Sequence, residues 1–408
     1  MKKNMLIGQS GGPTAVINGS LYGAIKEALA SKNQIASIYG MVNGIEGFLN
    51  NQYIALADLE DTNDLELLRT TPGAYLGSCR YKLPEDLNHK IFKTLFEKFE
   101  ALNIGYFFYI GGNDSMDTVS KLSRYANEVA SDIRFIGIPK TIDNDLVLTD
   151  HTPGFGSAAK YVATVVREIV IDASVYDNKT SVTIVEIMGR HAGWLTAASA
   201  LARRFEGDNP VLIYLPEAPF QVEDFLAKVK QGLKSTPNLV ICISEGINDG
   251  QGTFVCEYEG AVNVDAFGHK MLTGSGKYLE NLIKEKLGIK VRSVELNVMQ
   301  RCSSLHLSAT DLKEAINSGV FAVQVALRGE SGKMITFNRH HNNPYELTYG
   351  IADVDLICNE EKAVPANWIT KEGSDISHEF IEYAKPLIDG EVTLPRDGGL
   401  PLFTYRKH

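Results

Sequence analysis

The sequence predicts an α/β fold of two lobes, each a mainly parallel β-sheet sandwiched between helices, and three observations lead there. The chain has 408 residues, more than one hydrophobic core commonly serves, so two domains or large lobes are expected. Short apolar runs alternate with stretches whose apolar residues recur at the helical period, the pattern of parallel βαβ units. Each run also ends in a Gly- or Asp-rich cluster. Ligands bind beyond the carboxyl ends of strands in open parallel sheets, which places the functional site in loops.

In chain order, the strand-like runs are Met5 to Gly8, Tyr106 to Ile110, Arg134 to Ile138, Val182 to Ile187, Val211 to Leu215 and Leu239 to Ile243. Helices are expected from near Thr14 (Val16, Ile17, Leu21, Ile25), Ala158 (Val162, Val165, Val166, Ile169) and Ala192 (Leu195, Ala198, Leu201). Polar residues and Pro153 break the pattern at Thr149 to Gly154, and Gly268, Gly274 and Gly276 cluster within Asp265 to Gly276, so a boundary is expected at each. From about Lys385, Pro386, Pro395 and Pro401 with Gly390, Gly398 and Gly399 read as irregular coil packed on a domain.

Composition narrows the function classes. Forty Lys+Arg against fifty Asp+Glu give a net charge of −10, which disfavours nucleic acid or an anionic membrane as the main partner but leaves room for a local phosphate pocket. Five widely spaced cysteines without a C-x-x-C pair argue against a disulfide scaffold or a zinc site and fit a reducing cytoplasm. The amino terminus has only the short apolar run Met5 to Ile7, so no signal peptide is expected, and no segment approaches the ~18 apolar residues of a membrane span.

Four strand-end clusters carry chemistry. Gly8-Gln9-Ser10-Gly11-Gly12-Pro13-Thr14 stands between a strand and a helix. Its glycines let backbone approach a ligand, and N–H groups at a helix start favour an anion; a tight turn without ligand is the alternative. It is neither a P-loop nor a dinucleotide fingerprint. Ile110-Gly111-Gly112-Asn113-Asp114-Ser115-Met116-Asp117 repeats the arrangement, and two anion cradles on neighbouring strands suggest a polyphosphate. Asp114 and Asp117 there imply an intervening cation or an excluded phosphate, unless they merely cap the helix.

Pro139-Lys140-Thr141-Ile142-Asp143-Asn144-Asp145 is the most informative cluster. A lysine three and five residues before two aspartates supplies a point charge for phosphate, a candidate base and a candidate metal ligand, the elements phosphoryl transfer needs. An Asx turn tied by a surface ion pair is the alternative. In Met188-Gly189-Arg190-His191-Ala192-Gly193-Trp194, Arg190 suits a phosphate and the Met-Gly backbone suits a sugar; His191 is left unassigned. Arg80, Arg292 and Arg301 taken singly read as surface arginines. Glu245 is either a ligand for sugar hydroxyls or a strand-end carboxylate facing water.

Taken together, these clusters resemble the phosphofructokinase family over roughly residues 3 to 330. The Ser-Gly-Gly loop, Gly-Ser-Cys-Arg, Gly-Gly-Asn-Asp-Ser, Pro-Lys-Thr-Ile-Asp-Asn-Asp, Met-Gly-Arg, Ser-Glu-Gly and Gln-Arg match in order and spacing. Within that family the chain resembles the pyrophosphate-dependent branch, because Asp114 and Lys140 stand where ATP-using relatives generally carry glycine. The resemblance implies a two-lobed phosphofructokinase-type fold. Residues 1–149, with chain returning from about 300–360, would form a large donor-binding lobe, 150–299 a smaller sugar-phosphate lobe and 361–408 an extension.

The implied reaction is Mg-pyrophosphate plus fructose 6-phosphate giving fructose 1,6-bisphosphate and phosphate, reversible because the two leaving groups are energetically comparable. By resemblance, Asp143 is the general base, aided by Mg²⁺ and by positioning from Thr141, with Thr141 and Ile142 among the substrate-binding residues. Gly11 and Arg80 would hold pyrophosphate and Lys140 would supply positive charge beside its departing phosphate, while Asn113 and Asp145 would hold the metal. Met188, Gly189, Arg190 and Glu245 would hold the sugar phosphate, with Arg301 on its 6-phosphate. Arg292 would reach in from a neighbouring subunit, which implies a homodimer or homotetramer.

A carboxylate at Asp114 would repel the α-phosphate of ATP by about 4 kcal/mol at ~4 Å and an effective dielectric of ~20. The chain departs from the family pattern at Asn113, where aspartate is common, at Val298 and Cys302-Ser303 around Gln300-Arg301, and at Ser181, where many relatives place an arginine from the adjoining subunit; Lys179 is a candidate substitute. An ATP-dependent phosphofructokinase and a catalytically silent regulatory subunit of the same fold are the competing readings.

Overall fold

A computed structural model describes residues 2–60, 63–175, 178–258 and 274–406. The chain divides into unit 1, comprising Met1–Ser157, Arg301–Glu361 and Asp389–His408, and unit 2, comprising Ala158–Gln300 and Lys362–Ile388. The divisions fall a few residues beyond Gly154 and at Gln300. Most of Asp265 to Gly276 lies outside the described residues, and the described part belongs to unit 2. The expected extension is not one body. Residues 362–388 pack into unit 2 and 389–406 into unit 1, because each finds hydrogen-bond partners there: Val364 at Glu217, and Asp389 at Ser308.

The strands of the two main sheets are, in chain order, β1 (Lys3–Gln9), β2 (Ile35–Met41), β3 (Tyr53–Ala55), β4 (Ile104–Gly111), β5 (Arg134–Pro139), β6 (Ser181–Ile187), β7 (Leu212–Tyr214), β8 (Asn238–Ser244), β9 (Lys290–Glu295), β10 (Lys333–Asn342) and β11 (Tyr345–Asp353). Unit 1 holds seven of them in the order β11-β10-β5-β4-β1-β2-β3, parallel from β10 to β2 with an antiparallel strand at each edge. Unit 2 holds the wholly parallel sheet β7-β8-β6-β9.

The unit 1 sheet is buried on both faces, which is why its inner strands read as continuous apolar runs. Successive side chains point to opposite faces. Ile7, Phe108 and Ile136 thus enter one core with Ile17, Leu21 and Val323, while Leu6, Phe107 and Phe135 enter the other with Phe99, Met116 and Leu122. Helix α1 (Ile17–Ala30) lies on the first face, α2 (Asn113–Glu128) on the second. The core of unit 2 gathers Val182, Ile184, Ile241, Ile243 and Leu279, the last from α4 (Ser275–Leu287); α3 (Phe155–Ser174) precedes it in the chain. Helix α5 (Ala309–Leu327) returns the chain to unit 1 and is capped by the Ser308 hydroxyl, which accepts the Asp311 N–H.

Two helix expectations shift. The helix after β1 begins at Ile17, beyond Pro13 and Thr14, so the glycine loop is longer than a βα turn. The stretch after Ala192 is one α-turn, Trp194–Ala197, continued by the 3₁₀ segment Ala198–Ala202. It is buried all round, so its apolar spacing marks enclosure rather than an amphipathic face.

Candidate active site

In unit 1, β1 lies between β4 and β2, so the connections leaving β1 and β4 diverge. This is the switch point at which an open sheet leaves a crevice beyond its strand ends. The loops after β1, β4 and β5 carry the first three clusters, and those strands are consecutive neighbours.

Lys140 ties the three loops together. It is buried, its N–H donates to the Gly111 carbonyl at 3.0 Å, and its ammonium donates to the Gly12 carbonyl at 2.7 Å. Burial pushes its pKa down to about 8; Asp143 and Asp145 act to raise it, while Arg301 and Arg80 lower it further. Two carboxylates and two guanidinium groups therefore share the electrostatic neighbourhood of one dehydrated ammonium.

Gly11 has φ +76°, a conformation open to glycine, and a Cβ there would lie 3.4 Å from the Lys140 ammonium. Its N–H donates to the Cys79 carbonyl at 3.1 Å and its carbonyl accepts from the Ser78 hydroxyl at 2.6 Å. The loop is thus locked onto the Gly77-Ser78-Cys79-Arg80 segment rather than aiming the Gly11 N–H at an anion. Arg80 is exposed. Arg301, expected at the 6-phosphate, belongs to unit 1 with an Nη1 only 3.2 Å from where a Gly12 Cβ would stand.

Asp143 is half-buried. Its N–H donates to Thr141 Oγ1 at 3.1 Å, and that hydroxyl donates to Asp143 Oδ2 at 3.3 Å, an ST turn whose hydroxyl also fixes the carboxylate. Ile142 is buried between them in sequence. The loop closes where Thr152 Oγ1 donates to the Thr141 carbonyl at 2.8 Å and the Thr152 N–H donates to Asn144 Oδ1 at 3.1 Å. The returning limb is held by His151, whose ring nitrogens lie 2.7 Å from Asp150 and 2.6 Å from Glu314, and by Asp311, which accepts the N–H groups of Gly154 and Ser157. No motif flagged His151, Glu314 or Asp311, since α5 lies far along the chain.

Asn113 and Asp114 occupy the first turn of α2. Asp114 is exposed, whereas Asp117 turns inward and pairs with buried Lys121 at 2.7 Å, which removes it from the site. Asn113 Oδ1 is buried with no hydrogen-bond partner among the described residues. An orphaned carbonyl oxygen beside carboxylate-bearing loops fits a hard cation. Among the described residues no three His, Cys, Asp or Glu side chains cluster to hold a metal, yet Mg²⁺ commonly takes one or two protein oxygens and completes its shell with phosphate and water.

In unit 2, β6 and β8 are neighbours and present Met188 to Arg190 and Glu245 from adjacent ends. The Met188 N–H donates to Gln300 Oε1 and the Gly189 N–H to Glu245 Oε1, both at 3.3 Å, and the Gly189 carbonyl accepts from Ser244 Oγ. Gly189 has φ +144°, and a Cβ there would lie 2.6 Å from the Ala192 carbonyl, so only glycine fits. Arg190 Nε is buried with no partner among the described residues.

His191 is exposed. Arg292 stands in mid-strand on β9 beside Thr183 and is also exposed. Ser181 begins β6, at the end opposite the loop, and donates to Asn238 Oδ1 at 2.7 Å. Glu217, which follows β7, accepts the Gly193 N–H at 2.8 Å. It follows an apolar run as the other strand-end polar residues do, and that signal was present in the sequence.

Glycine-paired strand ends gathered around a buried ammonium and paired aspartates define a phosphate-handling α/β protein. The family model described as Phosphofructokinase matches residues 4–326, and the chain belongs to that family. It is 40% identical over 400 residues to the pyrophosphate–fructose 6-phosphate 1-phosphotransferase of Halomonas elongata, covering 98% of this chain and 94% of that protein. It is 41% identical over 408 residues to the protein so named in Xanthomonas campestris pv. campestris, covering 99% and 96%. The crystal structure of the pyrophosphate-dependent phosphofructokinase of Marinobacter aquaeolei superposes with a TM-score of 0.88 at 39% identity, covering 98% of this chain and 95% of that one.

Proposed function

We propose that this protein is a pyrophosphate-dependent phosphofructokinase, transferring a phosphoryl group reversibly between pyrophosphate and the 1-hydroxyl of fructose 6-phosphate, a step of glycolysis and gluconeogenesis. One observation carries the reading most: the buried Lys140 ammonium, flanked by Arg301 and Arg80, lies against the Gly11-Gly12 loop. A dehydrated cation of this kind has its charge poorly compensated, and an inorganic polyphosphate would complete it.

Asp143 accepts the proton of the sugar 1-hydroxyl. The oxygen attacks the distal phosphorus of pyrophosphate, the bridging P–O bond breaks, and phosphate departs with its developing charge facing Lys140. Thr141 keeps the Asp143 carboxylate in place. In the reverse direction phosphate attacks the 1-phosphate, and Asp143 returns the proton to the sugar oxygen.

Asn113 and Asp145 would hold Mg²⁺, which when bound neutralises phosphate charge. Met188, Gly189, Arg190 and Glu245 orient the sugar phosphate; the orphaned Arg190 Nε supports a phosphate contact. Asp114, exposed in the first turn of α2, disfavours the longer nucleotide chain of ATP. A cytoplasmic homodimer or homotetramer, with Arg292 serving a neighbouring subunit, completes the reading. Among the described residues no helix is long and apolar enough to cross a membrane.

The test is the formation of fructose 1,6-bisphosphate by the purified chain, with pyrophosphate and with ATP at equal Mg²⁺. Turnover with pyrophosphate alone is expected; turnover with ATP alone rejects the donor assignment.

A further inference from the structure

The segment Lys362–Ile388 belongs to unit 2, and there it reaches the loop that carries Arg190. Glu217 is the link. Its Oε1 accepts from the Gly193 N–H at 2.8 Å and from the Val364 N–H at 3.0 Å. Its Oε2 has no hydrogen-bond partner among the described residues, and burial pushes the carboxyl pKa up. Next along the chain, Trp194 Nε1 donates to the Lys362 carbonyl at 2.8 Å, and the Lys362 ammonium stands 5.1 Å over the Trp194 ring. The same ring meets Trp368, Phe380 and Tyr383 with centroids 6.1, 6.3 and 5.4 Å away.

The stretch from Met188 to Trp194 is therefore tied at one end by Gln300, Glu245 and Ser244, and at the other by Glu217 and the carboxyl-terminal segment. Arg190 stands between these ties, and a guanidinium directs its hydrogen bonds narrowly, so a small shift of its backbone spoils a phosphate contact. A buried carboxylate bonded through one oxygen, with the other left over, is a costly way merely to hold a chain segment in place. It is intelligible as a device that couples segment and loop.

We propose that Glu217, together with the segment running from Lys362 to Tyr383, positions the Met188 to Arg190 loop for the phosphorylated sugar, which makes the carboxyl-terminal segment a determinant of sugar affinity. These are positioning residues, acting through Arg190 and the loop backbone. The inference rests on the functional reading above, and turnover of the wild-type enzyme with pyrophosphate and fructose 6-phosphate tests that reading separately.

Both tryptophans of the chain, Trp194 and Trp368, lie in this cluster, so their emission reports on it directly. Fructose 6-phosphate is titrated into the full-length enzyme while emission is followed, and the KM for each substrate is measured alongside. Glu217→Ala is expected to weaken fructose 6-phosphate binding and raise its KM about tenfold, with the pyrophosphate KM within about twofold of wild type. Glu217→Gln retains an oxygen able to accept both N–H groups and is expected to return sugar affinity to within about threefold of wild type. Loss of stability alone would lower the active fraction, and with it kcat, without moving KM. Wild-type sugar affinity in Glu217→Ala, an equal rise in both KM values, or a Glu217→Gln enzyme as weak as Glu217→Ala each overturns the proposal. Should Glu217→Ala not accumulate folded, Trp368→Leu decides: a raised sugar KM supports the role, and an unchanged one overturns it.

Discussion

Replacing Lys140 by methionine should strengthen the fold and abolish the reaction together. The side chain is buried, and its pKa is brought from 10.5 to about 8, a gap that corresponds to roughly 3 kcal/mol against the charged form in the folded chain. Methionine fills a similar volume without that penalty. The Gly12 carbonyl loses its 2.7 Å donor, which returns about 1 kcal/mol. The variant should thus be more stable at pH 7 by roughly 2 kcal/mol. The sign with pH follows from linkage. The unfolded chain holds more protons on this group between about pH 8 and 10.5, so wild type gains roughly 3 kcal/mol on the variant over that window; the difference closes within it, and wild type is the more stable by about 1 kcal/mol at its top. Urea unfolding of both proteins by far-UV circular dichroism, repeated from pH 7 to 10, measures this. In parallel, kcat/KM for pyrophosphate should be ~1,000-fold lower in the variant, while that of wild type falls as pH rises through about 8 and the free enzyme loses the Lys140 proton. A variant less stable than wild type at pH 7, or a stability difference that does not change with pH, would refute the account of Lys140 as a dehydrated cation.

Three further outcomes are expected. Asp143→Ser should lower kcat by about 1,000-fold or more, since proton transfer is lost from the transition state; fructose 6-phosphate affinity, read from tryptophan emission, should stay near wild type, and unchanged turnover would remove the base assignment. Asn113→Ala should raise the Mg²⁺ concentration for half-maximal activity about tenfold, because one ligand oxygen is lost, and EDTA should silence the wild type until Mg²⁺ is restored. His151→Leu should destabilise the chain by about 2 kcal/mol, because Asp150 and Glu314 each lose the imidazole while Asp150 keeps Arg339 and Glu314 keeps the Tyr345 hydroxyl. Burial works to lower the His151 pKa, but Glu314 and Asp150 together raise it above 6.5, so its contribution is complete below that pH and is lost as pH rises through the folded value. Thermal melts of wild type and variant that stay parallel from pH 6 to 9 would contradict this.

Strands β1, β4, β5, β6 and β8 were legible because burial on both faces leaves them without polar alternation: Phe107 and Phe108 enter different cores, yet both are apolar. Strands β2, β9 and β11 were not. Strand β11 exposes Glu346, Thr348, Ile351 and Asp353, β9 buries only Val291 fully, and β2 exposes Ala36 within Ile35–Met41, so none forms an unbroken apolar run. The residues proposed for catalysis were legible where they are contiguous, as in Lys140 to Asp145. Their supports were not. Lys140 meets Gly12 across 128 residues and His151 meets Glu314 across 163, pairings that topology creates and local pattern does not encode.

The two clusters solve different physical problems. In unit 1 the scarce quantity is charge: burial depresses the Lys140 pKa, Arg301 and Arg80 lower it further, and Asp143 and Asp145 offset this only in part. On the reading proposed above, a donor bearing several negative charges would relieve the cost of burying that ammonium. In unit 2 the scarce quantity is orientation. The N–H groups of Met188, Gly189 and Gly193 are all committed to Gln300, Glu245 and Glu217, so these amides hold the loop's own shape, and the Arg190 side chain, with its buried unpartnered Nε, is the group proposed to bind. Substitutions in the first cluster should therefore act chiefly on pyrophosphate and on pH dependence, and those in the second on the sugar. A Glu217 variant that altered the pyrophosphate pH profile would show that this division of labour is wrong.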